Sequence, residues 1–146
     1  MNFREIEPRD ALSLIELRAR TRENAIPVDV LAGMGITPES VALQLQSSHR
    51  GWLCEVDGLP VGFAIGDRTS GELWVIAVAP EYEGRGIGSR LLESVEKWLW
   101  DCGWNAIWLW TDADERRRAF TFYIKHGWQK TELKDGALYM QKRRAL

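Results

Sequence analysis

One stretch limits what this chain can fold into more than any other. Leu73-Trp74-Val75-Ile76-Ala77-Val78-Ala79 is an apolar run of strand length, rich in β-branched and aromatic residues. Pro80 closes it, because proline has no N–H to donate to a sheet. Gly84, Gly86 and Gly88 then alternate with Arg85 and Ile87, and an amphipathic helix begins at once. A strand feeding a glycine-rich turn at a helix N-terminus leaves several backbone N–H groups pointing outward. The helix dipole adds positive potential there, so the turn suits an anion, above all a phosphate.

The other segments follow simple patterns. Phe3-Arg4-Glu5-Ile6 alternates as a first strand. Pro8 and Asp10 open a helix whose apolar stripe is Ala11, Leu14, Ile15 and Leu17, with Arg18 and Arg20 toward solvent. Residues 21–35 show no period, and Gly33 and Gly35 mark a turn. Thr37 caps a second helix, with Pro38 at its first position and Val41, Ala42 and Leu45 on its apolar side. Asp57-Gly58 joins strands 52–56 and 60–65 as a hairpin, and Thr69-Ser70-Gly71 turns into the apolar run.

After the glycines, Leu91, Leu92, Val95, Trp98, Leu99 and Cys102 form a helical stripe that stops at Gly103. Ala106-Ile107-Trp108-Leu109-Trp110 reads as a buried strand. Asp112 or Asp114 caps a further helix that carries Ala119, Phe122, Tyr123 and His126 on one face and ends at Gly127. Residues 128–133 and 137–141 close the chain as a hairpin. The order β-α-α-β-β-β-α-β-α-β-β predicts a single α/β (α+β) domain over residues 1–146. Its sheet is mixed and mostly antiparallel, flanked by helices, with one right-handed βαβ crossover at the glycine turn.

Composition removes several classes of function. A formal charge of -2 and a pI near 5.7 argue against a general nucleic-acid binder or a protein held on anionic membranes. Asn2-Phe3-Arg4-Glu5 has no apolar leader character, and no apolar run reaches membrane-spanning length, which predicts a cytoplasmic protein. Cys54 and Cys102 fit no metal or redox spacing and read as small core residues in a reducing compartment. Eight tryptophans are many for this length; most belong to the core and sheet faces, leaving one or two to line a ligand pocket.

Spacing then sorts the phosphate-binding turns. A Walker loop needs Gly-x-x-x-x-Gly-Lys-Ser/Thr, and no lysine follows these glycines. A dinucleotide fingerprint needs Gly-x-Gly-x-x-Gly and an acidic residue roughly 20 positions later. Here the third glycine comes one position early, and Trp108-Leu109-Trp110 stands where the acid belongs.

What does match is another pattern. Val78-Ala79-Pro80-Glu81-Tyr82-Glu83-Gly84-Arg85-Gly86-Ile87-Gly88, followed by Leu91-Leu92, resembles the acetyl-CoA motif Gln/Arg-x-x-Gly-x-Gly/Ala of the GNAT superfamily of N-acetyltransferases. Ala119-Phe120-Thr121-Phe122-Tyr123-Ile124-Lys125-His126-Gly127-Trp128 resembles that family's second motif, Ala-x-x-Phe-Tyr-x-Lys-x-Gly-Phe. The element order agrees over nearly the whole chain, so the resemblance implies the acyl-CoA N-acyltransferase-like fold. Two positions depart from it. Glu83 stands where the family has Gln or Arg; its side chain is expected to point away from a diphosphate, with Arg85 supplying the charge. Arg116 stands where many members have Asn, and Arg116-Arg117-Arg118 reads as a solvated helix face.

The resemblance implies acetyl-CoA as cosubstrate. Pantetheine would lie along Ile76, Ala77 and Val78 like an added strand, which requires that strand to have an open, splayed edge. The backbone N–H groups of Glu83, Gly84, Arg85, Gly86, Ile87, Gly88 and Ser89 would hold the diphosphate. The acceptor would be a small-molecule or peptide amine. A primary amine of pKa about 10.4 is almost wholly protonated at pH 7, so a base assists. Glu72 is the first candidate, placed by alternation on the face of Trp74, Ile76 and Val78, and Glu23 the second. Tyr123 matches the tyrosine that protonates the departing thiolate. His49 and His126 read as structural. A non-catalytic acyl-CoA-binding sensor or assembly module is the alternative, and Tyr123 favours the enzyme. Transfer of a longer acyl chain is disfavoured if Trp74 and Trp110 face the pocket. Exposed apolar strand edges and the Trp-rich tail suggest a homodimer.

Overall fold

The computed structural model describes residues 1–21, 25–114 and 116–145. Seven strands form one sheet: β1 (Asn2–Glu5), β2 (His49–Val56), β3 (Leu59–Asp67), β4 (Glu72–Val78), β5 (Ala106–Asp112), β6 (Gln129–Lys134) and β7 (Ala137–Arg143). Their order across the sheet is β1-β2-β3-β4-β5-β7-β6, antiparallel at every step except β4 to β5. Two hairpins have the expected turn chemistry. Asp57-Gly58 and Asp135-Gly136 both hold positive φ at two successive residues, the twist a two-residue β-hairpin needs.

Helices cover both faces. α1 (Ala11–Arg18), α2 (Val28–Gly33) and α3 (Pro38–Leu45) lie on one side, and α4 (Ile87–Asp101) lies on the other with α5 (Arg118–Lys125). Leu91, Leu92, Val95 and Leu99 of α4 pack with Ile107, Leu109, Trp128 and Met140. Leu14 and Leu17 of α1 pack with Leu53, Phe63 and Ile65. Two glycines of β3 set the α4 approach. A Cβ at Gly62 would stand 3.0 Å from Ile87 Cγ2, and one at Gly66 would stand 2.7 Å from Val95 Cγ1.

A buried polar node ties this layer together. Glu96 of α4 is buried and accepts from Trp128 Nε1 at 2.9 Å and from Lys142 Nζ at 2.8 Å. It joins α4 to β7 and to Trp128, the residue just before β6. A buried carboxylate is tolerated only with such partners.

Four local expectations need correction. The segment read as lacking a period contains α2, only six residues long with Leu31 alone buried, so it has no stripe to detect. α5 begins at Arg118 with Arg117 as N-cap. Asp112 and Asp114 instead accept from Asp114 N at 2.8 Å and Arg116 N at 3.0 Å, organising the loop before the helix. Cys54 is buried, but Cys102 is the exposed residue that ends α4. β5 is one-sided: Ile107 and Leu109 are buried, while Trp108 stacks on Tyr139 of β7 and Trp110 is 57% exposed.

The Thr37 cap is as expected, with its hydroxyl accepting from Ser40 N at 3.1 Å. The outer edge strand β6 carries Lys130, Glu132 and Lys134, charges that disfavour pairing with a second sheet. Among the described residues, no helix is long and apolar enough to cross a membrane, and no group of His, Cys, Asp or Glu could hold a metal ion.

Candidate active site

Parallel strands stay paired only while their backbones run side by side, and β4 and β5 do not. Their pairing is confined to Glu72 opposite Trp108, beyond which the strands diverge. The backbone groups that β4 would have shared with β5 therefore open onto a wedge-shaped cleft of about 670 Å³. β4 and β5 form its two strand walls, the glycine turn and the start of α4 close one side, and Phe122 and Tyr123 of α5 close another. Arg18, Thr21, Ala25 and Ile26 border it from the α1 side. The structure thus brings Ile76, Ala77, Val78, Glu83, Gly84, Gly86, Ile87, Gly88, Ser89 and Tyr123 around one space. Arg85 and Glu72 do not line it.

β4 is also irregular. Ile65 pairs with Val75 and Gly66 with Leu73, so Trp74 is an extra residue opposite β3. Such a bulge interrupts the ladder and shifts side chains between faces. Trp74 and Val75 both pack toward α1, whereas Ile76 and Val78 pack toward α4. Leu73 also packs toward α4, so alternation turns Glu72 to the α1 side. Glu72 therefore shares a face with Trp74 but not with Ile76 and Val78, contrary to the unbroken alternation expected from sequence.

The turn has room for a ligand. Gly84 and Gly86 hold φ of 75° and 80°, the left-handed region that other residues enter at a cost. A Cβ built on either would meet nothing within 4 Å, so the demand there is backbone shape, with open space above it. The first N–H groups of the 15-residue helix α4 face the same space.

The charges around the turn differ from expectation. Arg85 is exposed and lies over the Tyr82 ring at 4.9 Å. Glu83 lines the cleft and pairs with Arg118, so the charge partner comes from the start of α5 rather than from the turn. Of the three arginines read as a solvated face, Arg116 and Arg118 are exposed, Arg116 bonding Asp114 at 2.9 Å, while Arg117 is half-buried. Arg117 and Arg118 border the cleft, with Arg117 Nε 3.5 Å from an Asp112 oxygen.

Tyr123 is both a core aromatic and a cleft residue. It packs against Trp128 with ring centres 5.9 Å apart. Burial pushes its hydroxyl above the ordinary tyrosine value, and the Arg18 charge opposes that shift. Arg18 is itself a correction, because it is half-buried in the cleft wall rather than directed to solvent. Burial lowers the Arg18 guanidinium from its usual value, and one of its N–H groups donates to the Thr21 hydroxyl at 3.3 Å. Its position was legible: Arg18 stands three and four residues after Ile15 and Leu14, on the buried stripe.

The remaining candidates lie near the cleft. Glu72 stands at the closed apex of the wedge, its carboxyl pushed up to about 7 by burial and by Asp67 opposite. His49 contacts the Trp74 ring at 5.0 Å, and its Nδ1 lies 2.7 Å from the Ser48 hydroxyl. His126 Nδ1 donates to the Phe122 carbonyl at 2.8 Å, and its Nε2 lies 3.0 Å from the Ser89 hydroxyl. It thereby links the end of α5 to the first turn of α4. Glu23 lies outside the described residues.

The wedge and its turn have counterparts in known proteins. The family model described as the Acetyltransferase (GNAT) family matches residues 16–128. An uncharacterized N-acetyltransferase of Methanocaldococcus jannaschii is 34% identical over 101 residues, covering 63% of this chain and 44% of that protein. A mycothiol acetyltransferase of Pseudarthrobacter chlorophenolicus is 38% identical over 63 residues, 43% of this chain and 19% of that protein. The chain thus spans less than half the length of these relatives. Among solved structures, the PaiA N-acetyltransferase of Thermoplasma acidophilum in complex with coenzyme A superposes with a TM-score of 0.84 at 20% identity. That match covers 99% of this chain and all of the other.

Proposed function

We propose, on the premise that this chain belongs to the GNAT family of acetyltransferases, that it transfers the acetyl group of acetyl-CoA directly to a primary amine. One observation carries this reading: the β4–β5 wedge opens onto a turn of left-handed glycines, and Tyr123 faces the same space. A thioester with a long amide-bearing arm and a diphosphate has the chemistry that this site complements. The opened edge at Ile76, Ala77 and Val78 offers backbone donors and acceptors to the arm. The N–H groups of Gly84, Gly86, Ile87, Gly88 and Ser89 would bind the diphosphate, whereas the Glu83 N–H already donates to the Pro80 carbonyl at 3.3 Å and Arg85 lies outside the cleft. A fold neighbour was crystallised in complex with coenzyme A, which supports coenzyme A chemistry for the ligand.

The chemistry follows from the groups at hand. The amine nitrogen attacks the thioester carbon, the C–S bond breaks, and the acetyl group stays on nitrogen. Backbone N–H groups near the Trp74 bulge stabilise the oxyanion. Glu72, poised by burial near pH 7, accepts the amine proton by relay, and the buried Tyr123 hydroxyl donates to the departing sulfur. Trp74 and Trp110 both border the cleft, which favours a short acyl group.

The test uses the full chain with acetyl-CoA and a panel of primary amines. Free thiol is followed by a chromogenic disulfide, and CoA binding by calorimetry. Amine-dependent thiol release supports the reading. CoA binding with no thiol release from any amine points to a binding module, and absence of CoA binding overturns the cofactor assignment.

A further inference from the structure

The end of α5 and the first turn of α4 meet through one histidine. His126 caps α5, and Phe122 of the same helix packs over Gly88, where a Cβ would stand 3.5 Å from its ring. His126 Nδ1 lies 2.8 Å from the Phe122 carbonyl oxygen, and its Nε2 lies 3.0 Å from the Ser89 hydroxyl. A carbonyl can only accept, so Nδ1 carries a proton. Among the described residues, the Ser89 hydroxyl has no other hydrogen-bond partner, and Ser89 lines the cleft beside Gly88.

These bonds give Ser89 two states. In the neutral ring the single proton sits on Nδ1, so Nε2 accepts and the Ser89 O–H points at the imidazole. Only lone pairs of Oγ are then left for the cleft, and they repel a phosphate oxygen. In the imidazolium, Nε2–H donates to Oγ, and the hydroxyl proton is freed to face the cleft. A hydroxyl held in that way donates to an anion, and the positive ring behind it adds attraction. The turn's own side chains do not supply that charge: Arg85 lies over the Tyr82 ring, and Glu83 brings a carboxylate that Arg118 engages.

The surroundings suit a cation at this place. The negative end of the α5 dipole adjoins it, as does the Phe122 ring, 4.5 Å away between centres. Charged residues of the neighbouring turns are directed elsewhere. Lys125 of α5 and Glu93 of α4 are exposed, and Arg90 lies over the Phe3 ring at 4.0 Å. Lys142 of β7, beside Gly127, bonds the buried Glu96.

We propose that His126 is a positioning residue for the cofactor: it turns the Ser89 hydroxyl onto the diphosphate and, as the cofactor binds, takes up one proton from solvent on Nε2. The proposal rests on the coenzyme A reading of the cleft and adds a proton linkage to it. The bound state holds more protons than the free one, so cofactor affinity falls as pH rises through the titration of the ring.

The probe is 3′-dephospho-CoA, whose diphosphate does not titrate near neutral pH. Calorimetry at about pH 7.5, in two buffers of different ionisation enthalpy, counts the protons taken up. A histidine is ordinarily mostly neutral there, so the wild type should take up about 0.5–1 proton per ligand bound. Ser89→Ala should bind about tenfold more weakly and take up none. Glutamine donates an N–H to Ser89 at every pH, so His126→Gln should bind within about threefold of the wild type, without uptake. His126→Leu, which can orient nothing, should bind about tenfold more weakly. Wild-type binding without proton uptake overturns the proposal, as does uptake that persists in Ser89→Ala or His126→Gln. Failure of the probe to bind at all overturns the cofactor reading as well. Uptake that both substitutions abolish supports the proposal, even if no amine releases thiol and the transferase reading falls.

Discussion

Replacing Glu72 by Gln tests the electrostatics of the wedge and its base with one substitution. The folded carboxyl titrates at about 7, whereas the unfolded one titrates near 4.5. Between those values the native state holds a proton that the unfolded chain releases, so stability falls as pH rises through the window. The stabilisation is fully present below pH 4.5 and is gone above pH 7. The two values differ by an amount worth at most about 3 kcal/mol. Partial exposure of the side chain reduces this to about 1–2 kcal/mol. Glutamine never ionises, so Glu72→Gln should match the wild type at pH 4 and exceed it by that amount at pH 8. Near this chain length the gain corresponds to a rise in Tm of roughly 2–8 °C. Differential scanning calorimetry of both proteins from pH 4 to 8.5 measures the difference. The same variant should lose the rise in kcat/KM centred near pH 7. A Tm difference independent of pH refutes the burial argument, and a surviving kinetic limb refutes the assignment of Glu72 as base.

Tyr123→Phe should lower kcat by about 10²–10⁴-fold, the range of a lost general acid, while the CoA Kd in calorimetry stays within about twofold. Gly86→Ala should destabilise by about 1–2 kcal/mol through its left-handed φ alone, since its Cβ has space. Gly86→Asn should cost less, and chemical denaturation that reverses this order would contradict the strain argument. Glu96→Ala strands Trp128 Nε1 and Lys142, so urea unfolding should show a loss of about 2–4 kcal/mol. Pairing Glu96→Ala with Lys142→Met should recover part of that loss.

The parts of the site that were legible in sequence depend on local chain chemistry. Pro80 ending a strand, three glycines opening a helix and Tyr123 on an apolar stripe each follow from neighbouring residues. The wedge was expected from the resemblance, and its opening beyond the Glu72–Trp108 pair agrees. What was not legible depends on partners far along the chain. The Trp74 bulge exists only against β3, so strict alternation misassigned the faces of Ile76 and Val78 relative to Glu72. Glu83 and Arg118 meet because the α4–β5 crossover returns α5 to the turn, which no short window contains. Arg18 was misplaced for another reason. A charged residue was assigned to water although its position continued the buried stripe of Leu14 and Ile15.

The divergence of β4 from β5 also bears on how long the folded chain lasts. A sheet interrupted in its middle lacks cross-strand bonds that an intact sheet would contribute to its own cohesion. A molecule that fills the wedge supplies them, and it binds the folded chain but not the unfolded one. Occupancy then adds to folding stability as the logarithm of ligand concentration, about 2.7 kcal/mol at a hundredfold excess over Kd. Proteases that act on transiently opened chains would find the filled protein about a hundredfold scarcer as a target. A ligand held in the incomplete sheet would thus lengthen the lifetime of the folded chain in proportion to its supply.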